Sequence, residues 1–213
     1  MTEDSEFSQY LSELDKPNTE GYTFFTKSQT NGYSLEIYRK YDEVSGLYQY
    51  KSYGELTSIV AETVYAVYND LEYRKKWDSY CADLHKISET SEQQNIYWRV
   101  AYPWPLSHRD YVFIRKNKIF QKTDDSPRKW CIIGKADSSS TYEVKNGVIR
   151  VNEYEQTLAM QPSTSGPGTK VFLYYFDNPG GALPTWLINW AAKTGVPQFM
   201  KTLQSACEKY TSR

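Results

Sequence analysis

The chain is poor in histidine and cysteine and has no excess of charge of either sign. It contains 2 His and 3 Cys in 213 residues, and 25 Lys and Arg stand against 26 Asp and Glu. A net charge of −1 provides no field that would hold a nucleic acid, so we expect no nucleic-acid partner. Cys81, Cys131 and Cys207 are widely spaced and form no CxxC pair, which favours a reduced, cytoplasmic protein.

Motifs of catalysis and metal binding are also missing. His85 and His108 lie far apart without HxxxH or HExxH spacing, and no GxSxG elbow occurs. The segment 166–168 (GPG) is not followed by the Lys-Ser or Lys-Thr pair that ends a P-loop, and it is interpreted as a hairpin turn. A Cys–His pair assembled across the fold is the less favoured alternative to thiols that pack in the core. We therefore expect no enzyme, with no catalytic residue, metal or cofactor.

Long hydrophobic runs are absent as well. The longest uncharged stretch, 178–192, contains two Pro and two Gly and is too short to cross a bilayer. The acidic start, residues 1–7, does not resemble a signal sequence. Because 39% of the residues are hydrophobic and domains average about 150 residues, we expect one globular domain over residues 1–213.

Aromatic residues are abundant, with 20 Tyr, 8 Phe and 6 Trp. Tyrosine combines a large apolar ring with a hydroxyl that needs a hydrogen-bond partner. This composition suits the wall of a cavity whose ligand is partly apolar and partly polar. It is equally typical of a β-rich protein with tyrosines at half-buried strand positions, and the composition leaves both interpretations open.

Hydrophobic spacing predicts helices at both ends of the chain and one in between. Apolar residues at helical spacing from Ser5 stop at Pro17. Thr57 or Ser58 is expected to cap a second helix, which ends near Asn69 and has an apolar face formed by Val60, Val64, Val67 and Tyr68. The last helix is predicted over 184–210, with a kink at Gly195 and Pro197.

Alternating segments predict eight or nine strands between these helices. They are 22–27, 35–41, 47–53, 85–92, 97–102, 111–120, 130–136, 148–160 and 170–176. The pairs NG at 31–32 and SG at 45–46 predict turns between the first three of them. Strands grouped between terminal helices and joined by short links favour an α+β fold with an antiparallel sheet. A strongly curved sheet wrapped around the last helix would leave a ligand cavity between them.

Polar residues occur among the aromatic ones on the predicted strands and beside them. Gln156 shares the predicted inward face of its strand with Tyr154, so it either bonds the backbone or is a donor for a ligand. Trp98 and Tyr111 could reach the same interior, although core packing would also explain them. Arg74 and Asp78 are four positions apart, a spacing that usually means an exposed helical ion pair unless the setting is apolar.

Several segments resemble the START domains, a family of helix-grip lipid-binding proteins. They include YRKKWD at 73–78, RDYV at 109–112, and YYFDNPGG at 174–181 followed by PTWLINWAA at 184–192. The resemblance implies a curved antiparallel sheet of about nine strands around a lipid tunnel, closed by a long C-terminal helix. It also implies a carrier that moves one phosphatidylcholine molecule between membranes. The alternatives are a lipid-sensing START module that recruits a protein partner, and a carrier for another phospholipid or ceramide.

The resemblance also assigns roles to individual residues. It implies a choline cage formed by Trp98, Tyr111 and Tyr154, with Tyr175 as a further candidate. It implies that the lipid's phosphate and glycerol contact Arg74, Asp78, Tyr68 and Gln156. These roles come from the family and not from the spacing of the residues.

Lipid entry requires a part of the protein to move. An apolar lipid cannot enter through water, so we expect the last helix and the loop 102–108 to open in transient contact with a membrane surface. The residues expected to form this lid are Trp104, Trp186, Trp190, Gly195 and Pro197. The alternative is that the tryptophans pack against the sheet. We expect a monomer, and a protein partner is left open.

Overall fold

The protein is described from a computed structural model, which covers residues 3–180, 184, 186–187 and 194–210. The first helix, α1, spans Glu3–Asp15 and ends just before Pro17, since a proline disfavours helical geometry at the residue that precedes it. Two short helices follow in mid-chain, α2 (Ala61–Asn69) and α3 (Leu71–Trp77). The helix α4 (Val196–Lys209) lies near the C-terminus. None of the helices in these ranges is both long and apolar enough to span a membrane.

Ten strands form one sheet. They are β1 (Thr23–Gln29), β2 (Tyr33–Asp42), β3 (Leu47–Leu56), β4 (Cys81–Glu89), β5 (Gln94–Val100), β6 (His108–Phe120), β7 (Lys129–Ala136), β8 (Val148–Val151), β9 (Tyr154–Pro162) and β10 (Thr169–Asp177). The strand order is β1-β2-β3-β10-β9-β7-β6-β5-β4, and neighbours along this path are antiparallel. The predicted α+β fold with an antiparallel sheet is confirmed, and the turns at 31–32, 45–46 and 166–168 join strands as expected.

Helix α1 covers one face of the sheet, which we call the outer face. Its residues Phe7, Leu11 and Leu14 are buried against Cys131, Ile133, Ala159 and Phe172 of the central strands. An ion pair between Lys129 Nζ and Asp15 Oδ2, 2.6 Å apart, fixes the end of the helix on β7. The two faces of β9 are therefore both buried, because the odd-numbered positions that would otherwise meet solvent lie under α1.

Helices α2 and α4 cover the opposite, inner face. Val64 and Val67 of α2 and Met200 and Leu203 of α4 are buried, as their helical spacing predicts. They pack against apolar side chains of β2, β3, β7 and β9: Tyr33, Leu35, Ile37, Leu56, Trp130, Ile132, Leu158 and Met160. Because two helices contact strands on both sides of β10, the inner face closes over a common core.

Three details of the predicted elements are wrong. The run 148–160 is two strands, because the chain turns at residues 152–153, and β8 pairs with β6 in parallel while β9 joins the antiparallel path. The second helix begins at Ala61, and neither Thr57 nor Ser58 caps it. The Thr57 hydroxyl instead donates to the Asn31 carbonyl at 3.0 Å, which ties it to the β1–β2 turn. Val60, at the N-cap, is 48% exposed and does not belong to the buried face.

The C-terminal helix is described in part. Trp186 and Leu187 are helical, whereas 188–193 and Trp190 among them lie outside the described residues. Thr194 and Gly195 lie in a wide π turn, and Pro197 lies in the first turn of α4, where a missing N–H costs no helical hydrogen bond. The far end of α4 is fixed to α3, because the Tyr73 hydroxyl donates to the Ala206 carbonyl at 2.9 Å.

Candidate functional site

Arg74 and Asp78 form a buried ion pair at the end of α3. Asp70 caps this helix by accepting from the Tyr73 amide at 2.8 Å, which directs the next turn at the inner face of the sheet. Arg74 Nε lies 3.0 Å from Asp78 Oδ2, and only 12% and 2% of the two side chains are exposed. The other carboxylate oxygen of Asp78 accepts from the Tyr80 amide at 3.0 Å. The interpretation of this pair as an exposed helical ion pair is therefore wrong.

Four aromatic side chains, Trp98, Tyr111, Tyr154 and Tyr175, meet on the inner face and are here called the aromatic cluster. Trp98 and Tyr111 are direct cross-strand partners on β5 and β6, and their rings stack with centroids 5.1 Å apart. The ring of Tyr154 meets Tyr111 edge-on at 5.1 Å and Tyr175 at 6.1 Å. The structure thus brings together four residues that are far apart in the sequence.

Gln156 is held by side chains. Its Oε1 accepts from the Tyr154 hydroxyl at 2.8 Å, and its Nε2 contacts the Tyr68 hydroxyl. Side chains, and not the backbone, hold the Gln156 amide, and its role as a donor for a ligand stays a prediction. Gln156 connects the aromatic cluster on the sheet to Tyr68 of α2.

Arg74 lies between these two groups. Its guanidinium carbon is 5.0 Å from the centroid of the Trp98 ring and 5.3 Å from that of Tyr68. These distances are typical of cation–π contacts. All eight residues expected to contact the head group therefore lie in one contiguous set, with the cation of Arg74 directly beside the aromatic rings.

Arg115 also lines this region, although its sequence position did not single it out. It is 5% exposed, and its guanidinium donates to the Gln94 side-chain oxygen at 2.6 and 3.0 Å. Burial, together with the charge of nearby Arg74, lowers the pKa of Arg115. The two-residue period of β6 could have identified it, since Tyr111, Phe113 and Arg115 project from the same face.

Asp177 is a second residue that the sequence interpretation missed. The hydroxyls of Tyr111 and Tyr175 donate to its Oδ2 at 2.8 and 3.0 Å. Burial raises the pKa of Asp177 above its ordinary value, and these two hydrogen bonds oppose the rise. Burial also raises the pKa of Tyr111 and of Tyr175. Both hydroxyls therefore stay protonated at neutral pH and remain donors.

A small cavity lies between the ion pair and the aromatic cluster. Its lining residues are Tyr68, Leu71, Arg74, Leu84, Trp98, Phe113, Arg115, Ile132, Gly134, Tyr154, Gln156 and Leu158. Its volume is about 20 Å³, whereas drug-sized ligands fill clefts of roughly 300–1,000 Å³. A lipid with two acyl chains therefore requires the inner core to open.

The segments expected to form a lid meet at Arg109. This buried side chain donates to the carbonyls of Ser107 at 2.6 Å, Pro179 at 3.0 Å and Gly180 at 3.1 Å. Its guanidinium carbon lies 4.5 Å from the ring centroid of Tyr102. The loop 101–107 and the segment that leads to the last helix are thereby joined at their bases.

The two described tryptophans of the expected lid are exposed. Trp104 is 91% exposed in the loop 101–107, and Trp186 is 47% exposed. The alternative that they pack against the sheet does not describe either residue. Trp190, the third expected contact, lies outside the described residues.

Cys81 packs beside the aromatic cluster and Arg74, whereas His85 bonds residues outside the site. His85 Nε2 is 2.9 Å from the Tyr142 hydroxyl, and its Nδ1 is 3.3 Å from Asp83 Oδ1. Cys131 and Cys207 are buried in the core and Cys81 is partly buried. Within the described ranges, no group of three His, Cys, Asp or Glu side chains could hold a metal ion.

The fold and the site define the class of protein before any comparison. A large antiparallel sheet that holds a C-terminal helix against its inner face, with polar groups in the space between them, is a helix-grip domain. A profile of the START domain family matches residues 13–213, so the chain belongs to this family. The family resemblance of the sequence is thereby confirmed.

Particular relatives are similar over almost the whole chain. Phosphatidylcholine transfer protein of Mus musculus is 42% identical over 207 residues, which cover 97% of this chain and 94% of the relative. Phosphatidylcholine transfer protein of Homo sapiens is 40% identical over 211 residues, with 99% and 95% covered. The crystal structure of human STARD10 superposes with a TM-score of 0.79 at 24% identity, covering 99% of this chain and 81% of that one. The last similarity confirms the predicted helix-grip fold.

Proposed function

We propose that this protein binds one phosphatidylcholine molecule between the sheet and α4 and carries it between membranes without changing a covalent bond. The observation that carries the proposal is the buried guanidinium of Arg74, 5.0 Å from the ring of Trp98, which in turn stacks on Tyr111 of the aromatic cluster. The relatives named phosphatidylcholine transfer protein, 40–42% identical over at least 94% of their length, support the choice of ligand.

The chemistry of the head group fits this set of residues. Phosphocholine has a permanent cation beside a phosphate anion. The quaternary ammonium has no N–H to donate, so aromatic faces suit it better than hydrogen-bond acceptors do. A primary ammonium in the same surroundings would lose its hydrogen bonds to water. Arg74, oriented by Asp78, supplies the charge for the phosphate, and Tyr68 and Gln156 supply polar contacts for the glycerol region.

A lipid carrier must keep the acyl chains of its lipid out of water, because their exposure is energetically unfavourable. Each buried CH₂ contributes about 0.8 kcal/mol, so exposing two chains of about sixteen carbons costs roughly 25 kcal/mol. Spontaneous exchange between membranes is therefore slow. An apolar inner face such as that formed by Leu158, Met160, Met200 and Leu203 offsets most of this cost.

Entry and release proceed through a lid at the membrane surface. The beginning of the last helix and the loop 101–107 move together, because Arg109 joins their bases, while Tyr73 holds the far end of α4. The wide turn at Gly195 and Pro197 is the hinge. Trp104 and Trp186 contact the lipid head groups, where amphipathic indole rings are favoured. The protein acts as a cytoplasmic monomer whose contact with the bilayer is transient.

A vesicle assay with the purified protein tests this function. The protein is incubated with phosphatidylcholine vesicles and re-isolated, and its lipid is extracted and identified by mass spectrometry. We expect one phosphatidylcholine per chain, chemically unchanged, and transfer to acceptor vesicles without added metal or cofactor. Uptake of sterol or ceramide without phosphatidylcholine would contradict the proposal that phosphatidylcholine is the ligand. Stable binding without transfer would favour a lipid sensor, and a modified lipid would indicate an enzyme.

A further inference from the structure

The charged groups of the site lie in a fixed order across the aromatic cluster. Arg74 contacts the ring of Trp98, Trp98 stacks on Tyr111, and the Tyr111 hydroxyl donates to Asp177. A cation thus lies at one end of the stacked rings and a carboxylate at the other. The order matches a zwitterion whose anion faces Arg74 and whose cation lies among the rings.

Asp177 forms no direct ion pair with a cation of the described residues, although the charge of Arg109 acts on it from a greater distance. Within the described part of the chain, no lysine or arginine nitrogen lies within 4 Å of its carboxylate, and its partners are two neutral hydroxyls. Arg109 is nearby, but its guanidinium bonds three backbone carbonyls. Burial of such a charge is unfavourable unless a counter-charge is supplied.

Arg115 is the matching cation without a counter-ion. Its hydrogen-bond partners are the amide oxygen of Gln94 and the carbonyl of Asn69, both uncharged. Arg74 and Asp78 neutralise one another, so the charged groups around the site without a direct ion-pair partner are Arg109, Arg115 and Asp177. Among these three, Asp177 is the group that can meet the cation of a zwitterionic head group, whereas an anionic lipid leaves it without a counter-charge.

We propose that Asp177 is a specificity-determining residue that selects a cationic head group. This inference rests on the proposed function. The carboxylate attracts the quaternary ammonium directly. It also accepts hydrogen bonds from the hydroxyls of Tyr111 and Tyr175. These bonds raise the electron density of both phenol rings and strengthen their attraction for a cation. Lipids of the same shape without a positive charge are bound less well.

The test compares two lipids of equal shape. In phosphatidyl-3,3-dimethylbutanol, a carbon replaces the choline nitrogen, so the head group keeps its size but loses its positive charge. The protein is incubated with vesicles containing equal amounts of this lipid and phosphatidylcholine, and the bound lipids are quantified by mass spectrometry. We expect the wild-type chain to prefer phosphatidylcholine, and Asp177→Asn to reduce the ratio about tenfold. A loosened fold would lower the uptake of both lipids and leave their ratio unchanged.

The matched control is Asp83→Asn, because Asp83 pairs with Lys145 and His85 away from the cavity. This variant should keep the wild-type ratio. An unchanged ratio in Asp177→Asn would overturn the inference and leave the proposed function intact. Failure of the wild-type chain to take up phosphatidylcholine would overturn both. Should Asp177→Asn not fold, Asp177→Ser removes the same charge with a smaller polar group and is judged by the same ratio.

Discussion

The guanidinium of Arg74 and the carboxylate of Asp78 form an ion pair in which Nε and Oδ2 are 3.0 Å apart and both side chains are largely withdrawn from water. Paired charges of this kind contribute little net stability, because desolvation cancels most of their attraction. The pair is important because it fixes the position of the guanidinium. Asp78 holds the planar guanidinium at the cavity wall beside Trp98, where it can meet an anion in a fixed orientation.

Arg74→Ala is expected to abolish phosphatidylcholine transfer. It also removes the counter-ion of the buried Asp78, which costs about 3–5 kcal/mol of unfolding free energy although the Tyr80 amide still donates to this carboxylate. The double variant Arg74→Met/Asp78→Asn should recover most of this stability but no transfer. Arg74→Lys should recover part of the transfer, because an ammonium lacks the bidentate fork. Full transfer in the double variant, measured with labelled vesicles, would show that the pair is only structural.

Trp98→Ala is expected to weaken recognition of the choline group by about 1 to 2 kcal/mol, because it removes a stacked ring next to Arg74. Preference for phosphatidylcholine over phosphatidylethanolamine should decrease in a competition assay. The control is Trp130→Phe, which alters a fully buried indole elsewhere on the inner face. A Trp98→Ala protein with the wild-type preference would identify Trp98 as ordinary core.

Combined replacement of Trp104 and Trp186 by alanine is expected to slow vesicle transfer by about tenfold and to leave the melting temperature and bound lipid unchanged. Exposed indoles contribute to membrane contact and little to the core. Phe24→Ala is the control, since Phe24 is also exposed, at 58%, but lies on the edge strand β1. Unfolding of the tryptophan variant, with normal transfer by any folded fraction, would contradict the lid.

The three thiols are expected to react slowly with iodoacetamide at pH 8 in the native protein. Burial raises the pKa of Cys81 to about 11 and that of Cys207 to about 12, and it raises the pKa of Cys131 as well. The thiolate is the reactive form, and its fraction falls about tenfold for each unit by which the pKa exceeds the pH. Mass spectrometry should find all three labelled in denaturant. Rapid labelling of any of them in the native protein would reveal a reactive thiol.

Helix ends and turns could be predicted from the sequence, because the backbone conformation at these positions depends on neighbouring residues. Helix α1 ends before Pro17, because this proline disfavours helical geometry at the preceding residue. The hairpin turns fall at the expected glycine-containing pairs. Trp98 and Tyr111 were predicted only to reach the same interior, and the structure shows that their rings stack there. Asp177 could have been found by the same two-residue period from Tyr175, since both point to the same side of β10.

The sequence alone predicted α1, most of the strands, the apolar stripe of α4 and, through the START resemblance, the set of head-group residues. It did not predict α3 or the division of 148–160 into two strands. Tertiary structure alone decided whether Arg74 is exposed or buried, because helical spacing is the same in both cases and only the packing of α3 against the sheet distinguishes them. It also decided that β8 pairs in parallel with β6, and that Asp177 meets Tyr111 across 66 positions of the chain. Long-range contacts of this kind leave no local periodicity from which they could be deduced.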